Sequence, residues 1–312
     1  MVVDSDEMDG RTRELYKILI PFTLAIFSYS NSLNGNFVFD DLEAVVNNPV
    51  VAAGGRGEDN FFQALVKYDF WGHNVLSNNS HKSWRPLTTL SFRVNMVIHG
   101  MNPVGFHLVN ILLHATVVVL FQNLLRSVFE HISSERRKND QIAYFSTLIF
   151  AVHPIHTESV TGIVGRAEVL CALFFVMAIK RFFEMNTDRG TTCRIPISCT
   201  IFATASLLCK EQGIMCLVVC VLLHFLIRIE CNAKLLKFSD IKIFTILNYN
   251  YLYALNLWLL INPCSLCYDY SMGCIPVING PWDVRIIIVL FMWAAFYTVG
   301  RSMWSENLHN IK

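Results

Sequence analysis

The sequence predicts an all-α polytopic membrane protein, and three observations carry that prediction. The chain of 312 residues is 54% hydrophobic and only 16% charged, with a mean hydropathy of +0.43. A soluble domain carries about 25% charged residues. Apolar windows recur along the chain and are separated by charged clusters. The basic residues between those windows fall mostly on one side of the implied membrane. Helices satisfy their backbone within a bilayer, so windows of this kind read as helical spans. The same composition excludes disorder. A net charge of +1 offers no field to attract nucleic acid.

Residues 1–17 read as a cytosolic N-terminus without a cleavable secretory signal. Residues 18–30 read as the first transmembrane helix, a retained anchor. Residues 31–105 form a long loop on the far side of the membrane. Within it, 47–60 is a turn-rich stretch with Pro49, Gly54, Gly55 and Gly57. Residues 61–68, and a second stretch over 84–94, read as short amphipathic helices lying on the membrane, with ordinary loop packing as the alternative. The region 106–230 holds transmembrane helices two to six, at 106–125, 142–152, 167–179, 195–208 and 214–227. Two more windows, 241–261 and 284–299, lie in 231–312.

A span needs about 20 apolar residues. Only 106–125 and 241–261 meet that length alone. The shorter windows gain support from their regular spacing, and thin membranes such as that of the endoplasmic reticulum accept shorter spans. Orientation follows from the cations. With the N-terminus in the cytosol, the cytosolic pieces hold 14 basic residues and the short opposite connections hold two, Arg166 and Lys210. The loop 31–105 then faces the lumen or cell exterior, where its sequon, Asn78-Asn79-Ser80, would be an acceptor for a glycan.

The ten cysteines do not read as a disulfide framework. Cys171, Cys199, Cys209, Cys216 and Cys220 lie in or beside apolar windows, where thiols behave as small buried hydrophobes. Cys264, Cys267 and Cys274 resemble a metal knuckle only loosely.

Ionisable residues are costly in a bilayer and mark function. Here they gather on one side. Asp40, Asp41 and Glu43 follow the first span, and His107, Asn110 and His114 share one face of the second. His153, His156 and Glu158 end the third. Arg166 and Glu168 open the fourth, and Lys210 and Glu211 join the fifth to the sixth. Each has a structural alternative. The second-span residues could be interhelical hydrogen-bonding glue, Lys210 and Glu211 a local ion pair, and Asp40 and Asp41 a helix cap. His153, His156 and Glu158 have metal-compatible spacing, but Pro154 favours a span terminus, and a divalent metal stays an open question. The chemistry that fits the whole set is glycosyl transfer from a lipid phosphate. A luminal carboxylate acts as general base, and Arg85, Arg166 and Lys210 hold the phosphate.

Several stretches resemble one known family. They are Asn34-Gly35-Asn36-Phe37-Val38-Phe39-Asp40-Asp41, Asp69-Phe70-Trp71-Gly72, His81-Lys82-Ser83-Trp84-Arg85-Pro86-Leu87-Thr88 and Asn102-Pro103-Val104-Gly105-Phe106-His107. His153-Pro154-Ile155-His156-Thr157-Glu158, Val164-Gly165-Arg166-Ala167-Glu168 and Cys209-Lys210-Glu211-Gln212-Gly213 follow. This ordered set, covering nearly all of 15–230, is similar to the transmembrane and tetratricopeptide repeat-containing family of endoplasmic reticulum protein O-mannosyltransferases. The resemblance implies a GT-C type glycosyltransferase membrane core. It implies dolichyl phosphate mannose as donor and Ser/Thr on secretory-pathway proteins such as cadherins as acceptors. It implies catalysis by the acidic pair Asp40 and Asp41, either of which could be the base. Arg85, Arg166, Lys210 and Glu211 would sit at the donor phosphate.

Two departures accompany the resemblance. The family continues into further spans and a luminal repeat array, and this chain ends at Lys312 without them. Family-like sequence resumes at Asn248 after a gap worth about one span near 244–245, which leaves the orientation beyond about 245 open. The sequence therefore reads as part of a longer protein. A catalytically impaired scaffold of the same fold is the second reading, and a polytopic transporter the third. Clustering at one face rather than along a path weighs against the transporter.

Overall fold

A computed structural model describes residues 5–55, 57, 59–132, 135–186, 196–228, 243–261, 278 and 283–309. It is mostly helical, without a sheet among these residues; a single antiparallel bridge joins Tyr68 to Asn74. The chain divides into two units, Met1–Asn232 and Ala233–Lys312.

In the first unit, α1 spans Ser5–Tyr29. The expected tail and first apolar window are thus one continuous helix, despite Pro21, which lacks a backbone donor. Short helices follow in the loop: α2 (Pro49–Ala52), α3 (Phe61–Lys67) and α4 (Pro86–His99). Asn48 caps α2 through Val50 N–H, and Asn60 with Gln63 forms a reciprocal capping box on α3. Pro86 opens α4 at a position where its missing N–H costs nothing. Phe62 and Val66 of α3, and Val94, Val97 and Ile98 of α4, are exposed.

The bundle consists of α5 (Pro103–Ile132), α6 (Arg136–Val152), the one-turn α7 (Thr157–Thr161), α8 (Arg166–Asn186), α9 (Ile197–Cys209) and α10 (Met215–Arg228). Among the described residues one helix is long and apolar enough to cross a membrane alone, Pro103–Glu130. A broken pair, Pro154–Thr161 with Arg166–Asn186, bends by 113° and passes the same test together.

Small residues let α1, α5 and α6 approach closely: Ala25, Ala115 and Ala151 are fully buried in one cluster. At one end of these helices Lys17 pairs with Glu14 (2.6 Å) and Asp140 (2.5 Å), and Arg126 with Glu14 (3.2 Å) and Asp140 (2.9 Å). The second cluster joins α8, α9 and α10 through Ala178, Phe182, Cys199, Ala203, Cys216 and Cys220. All five described cysteines are free and buried, as their apolar settings predict. Cys264, Cys267 and Cys274 lie outside the described residues, as do Arg189, Arg194, Lys234 and Lys237.

The second unit contains α11 (Ile243–Ile261) and α12 (Arg285–His309). They pack through Tyr251 and Val289 with Ile278, and Trp293 Nε1 donates to Asn250 Oδ1 at 2.9 Å.

The turn between α9 and α10 is tight. A Cβ on Gly213 would lie 2.3 Å from the Ser206 carbonyl carbon and 2.5 Å from Leu207 N. Backbone cannot yield as a side chain can, so Gly213→Ala should destabilise the first unit by about 1–3 kcal/mol, at the cost of an overpacked core. Thermal unfolding of the detergent-solubilised protein measures this, and an unchanged midpoint would refute it.

Candidate functional site

The site is organised around a buried arginine. Arg166 begins α8 and is 0% exposed. Its Nε donates to Asn110 Oδ1 (2.7 Å), Nη1 to the Ser91 carbonyl (3.3 Å), and Nη2 to Asn95 Oδ1 (2.8 Å) and the Phe106 carbonyl (2.9 Å). The guanidinium carbon lies 4.7 Å from the Phe92 ring centroid and 5.3 Å from that of Phe106. A planar cation with several fixed donors suits this combination of amide oxygens and ring faces. Asn110 continues the network, donating to the Gly162 and Ile163 carbonyls at 2.9 and 3.3 Å. Thus α4, α5, the 162–165 turn and α8 are tied at one point.

The sequence places Arg166 at the donor phosphate as an expectation. Its side chain is out of solvent and its hydrogen bonds are spent on protein oxygens. It builds the floor under the site.

The 162–165 turn passes this order on to the acidic pair. Val164 N–H donates to Asp41 Oδ1 at 2.9 Å, and Val38 N–H donates to Asp41 Oδ2 at 3.1 Å. Asp41 is 3% exposed. Burial raises its carboxyl above the ordinary value, and the Val38 and Val164 N–H groups and His107 work against that rise. Asp40 is exposed and makes no hydrogen bond among the described residues. Phe39, 72% exposed, precedes it with φ at +47°, a left-handed backbone that costs a non-glycine residue about 1–2 kcal/mol. Strain held next to an exposed carboxylate is typical of functional loops.

His107 is buried behind this loop, with its ring facing Gly35 and no well-formed hydrogen bond at either nitrogen. A Cβ on Gly35 would lie 3.0 Å from His107 Nε2, so the glycine lets the backbone pass over the ring. Glu43 is exposed and accepts from Asn47 Nδ2 at 3.2 Å.

The remaining cations form a second group. Arg85 precedes α4 and grips Glu211, with Nε 3.1 Å from each carboxylate oxygen and Nη2 3.0 Å from Oε2. Its guanidinium lies over the Phe70 ring at 4.8 Å. Partial burial pushes the Glu211 carboxyl up, but the bonds and charge of Arg85 outweigh it and leave the group below its usual range. Lys210 pairs with Glu168, one turn-position beyond Arg166 on α8. Thr88 Oγ1 donates to the Cys209 carbonyl at 2.8 Å and anchors α4 to the end of α9.

His114, His153 and His156 form a third group with Tyr29 and Phe150. The His114 ring centroid is 5.2 Å from that of His156 and 5.1 Å from Tyr29, and Tyr29 donates to the His153 carbonyl at 2.8 Å. His156 stands 6.2 Å from His153, centroid to centroid. Glu158 is exposed in α7, whose Val160 is buried. Among the described residues no three His, Cys, Asp or Glu side chains are arranged to hold a metal ion. The one polar face expected from sequence is thus three groups, the first two linked through the opening turn of α8.

Asn95 and Asp69 carry structural roles that the sequence did not assign. Asn95 is one of several polar residues of α4, and nothing in the sequence separates it from Thr88, Ser91 or Arg93. Asp69 is 1% exposed and accepts from Trp71 N–H (3.0 Å), His73 N–H (2.8 Å) and Ser80 Oγ (2.6 Å), closing the 69–80 turn.

Two outcomes follow. Arg166→Met should cost about 3–5 kcal/mol, since it strands Asn95, Asn110 and two carbonyls, and Arg166→Lys should recover only part because an ammonium lacks the planar fork. Chemical denaturation reads both, and full rescue by lysine would refute the planar-fork argument. Asp41 binds its proton more tightly folded than unfolded, so its contribution to stability is present at low pH and is lost as pH rises through its raised value. Asp41→Asn should remove that part of the acid-range pH dependence of the unfolding midpoint, and an unchanged profile would count against it.

The comparisons with known proteins bear on this arrangement. Residues 236–297 match the family described as "Protein O-mannosyl-transferase TMTC, DUF1736". Human "Protein O-mannosyl-transferase TMTC4" is 35% identical over 93% of this chain and 48% of its own length. Caenorhabditis elegans "Protein O-mannosyl-transferase F38B6.6" is 33% identical over 91% of this chain and 43% of its own. Drosophila melanogaster "Protein O-mannosyl-transferase Tmtc3" is 31% identical over 97% and 42%. The chain thus spans about half the length of these curated relatives. The human alignment runs over 363 positions against 312 residues here, so that relative carries stretches without a counterpart in this chain. No solved structure is significantly similar. Similarity along nearly its whole length makes this chain a member of the TMTC family of protein O-mannosyl-transferases.

Proposed function

We propose that this chain is the membrane core of a protein O-mannosyltransferase of GT-C type, with Asp40 as general base. The observation that carries the reading is the asymmetry of the acidic pair. Asp41 is buried and committed to Val38 and Val164, while Asp40 is exposed and free. A base must reach its proton, and a positioning group must not move.

In this mechanism the hydroxyl oxygen of a Ser or Thr attacks C1 of mannose. Its proton passes to Asp40, the C1–O bond to phosphate breaks, and dolichyl phosphate leaves with inversion at C1. Phosphate is a good leaving group, so no strong acid is needed. Arg85 and Lys210 meet the phosphate. Each already carries an internal carboxylate, Glu211 and Glu168, so phosphate enters by exchange with a resident anion. The exposed Val38, Phe39 and Leu42 beside Asp40 offer apolar surface to the lipid chain.

The same reading proposes the wider arrangement. Residues 1–17 face the cytosol and 18–30 cross the membrane of the endoplasmic reticulum. Residues 31–105 form the luminal catalytic loop, with α3 and α4 at the interface. Helices two to six lie within 106–230, and two further spans lie beyond a family segment missing near 244–245. The basic bias of the cytosolic connections supports it. Acceptors would be secretory-pathway proteins, cadherin domains among them. The internal pairing of Arg85 with Glu211 and of Lys210 with Glu168 favours one rival, a scaffold with the same fold and no activity.

The test is mannose transfer from dolichyl phosphate mannose to a cadherin-domain acceptor by the reconstituted full chain. Asp40→Asn should lower turnover by about 10²–10⁴-fold while leaving the unfolding midpoint in place. Glu211→Gln should tighten donor binding by about two- to five-fold, because it removes the competing anion from Arg85. No transfer by the wild type, with Asp40→Asn indistinguishable from it, establishes the scaffold reading instead.

A further inference from the structure

We infer that Asn78 is an N-glycosylation site which accepts its glycan only before the 69–80 turn folds. The inference rests on the luminal placement of residues 31–105 proposed above.

An Asn-X-Ser acceptor must present two groups to the transferase, the Asn amide and the Ser hydroxyl. In this fold the two are separated. Asn78 and Asn79 are exposed at the tip of the loop. Ser80 is 8% exposed, and its Oγ donates to Asp69 Oδ2 at 2.6 Å. The Ser80 oxygen also accepts from Lys82 N–H at 3.0 Å. Its donor and its acceptor are both in use.

The surrounding turn is closed by short bonds. Ser77 N–H donates to the Asn74 carbonyl (2.9 Å), Ser80 N–H to the Ser77 carbonyl (3.2 Å), and Asn79 N–H to Ser77 Oγ (3.2 Å). Lys82, itself at φ +59°, crosses the turn to the Val75 and Ser77 carbonyls at 2.6 and 2.7 Å. Tyr68 and Asn74 bridge its base. An extended acceptor strand is therefore unavailable once the turn has formed. A glycan attached earlier is tolerated, because Asn78 stays outside while Ser80 goes in.

The step itself is ordinary group transfer. The Asn78 amide nitrogen bonds to C1 of an oligosaccharide carried on a lipid pyrophosphate. The C1–O bond to pyrophosphate breaks, the amide proton leaves to a base of the transferase, and lipid pyrophosphate departs. Asp69 acts as the timer: it takes the Ser80 hydroxyl out of reach when the turn closes.

The experiment is expression of the full chain in mammalian cells with pulse-chase labelling and glycosidase digestion. Wild type should carry one glycosidase-sensitive shift within the pulse and gain none in the chase. Asn78→Gln and Ser80→Ala should each lose the shift. In chain labelled under inhibition of lipid-linked oligosaccharide synthesis and then released, wild type should stay unmodified, while Asp69→Ala, with Ser80 freed, should gain the shift. A wild type modified as readily after release as during the pulse overturns the timing. A control separates the site from the topology: Leu76→Thr in the Asn78→Gln background makes half-buried Asn74 an acceptor. If that control is modified and native Asn78 never is, the site proposal fails and the luminal reading stands. If neither is modified, the luminal reading fails and takes this inference with it.

Discussion

A buried guanidinium is what the first unit is built on. Arg166 has no water to solvate it, and a charge in that position persists only when its donors are met. It meets them with two amide side chains and two carbonyls drawn from α4 and α5, and it fills the remaining space with two aromatic faces. Those partners are far apart in sequence. Forming the network therefore fixes a loop helix against a bundle helix and sets the turn that enters α8. Hydrophobic burial around Phe70, Phe92, Phe106 and Ile163 then closes over it.

The acidic loop inherits this order at second hand. Asn110 spans from Arg166 to the 162–165 turn, the turn presents Val164 N–H, and Val164 holds Asp41. Asp41 in turn stabilises the strained backbone that presents Asp40. Each link is one ordinary hydrogen bond. The sum is an exposed carboxylate whose backbone is held by buried groups, the arrangement that a pre-organised site needs.

Much of this was legible in the chain. The ionisable residues beside apolar windows recur in the three polar groups of the fold, and the amphipathic pattern over 61–68 matches α3. The roles were less legible. Arg85 and Arg166 look alike in sequence, each a cation beside an apolar helix. Only the fold shows that one is spent on buried protein oxygens and the other pairs with the half-exposed carboxylate of Glu211. Asp40 and Asp41 are adjacent and chemically identical, and what separates them is a backbone donor at Val164, over a hundred residues away. The first helix extends to Ser5 because its polar turns continue one ladder of hydrogen bonds, which hydropathy does not register.

The opening turn of α8 carries Arg166 and, two residues on, Glu168. One side chain governs the acidic loop and the other neutralises Lys210. Both halves of the site are thus registered to a single rigid rod. The far end of that rod is clamped by Ala178, Phe182 and the thiols of α9 and α10. A small rocking of α8 would shift the acidic loop and the Lys210–Glu168 pair in concert and leave their spacing intact. The helix works as a shared axle, so substitutions at its remote end can retune the whole site without disassembling it.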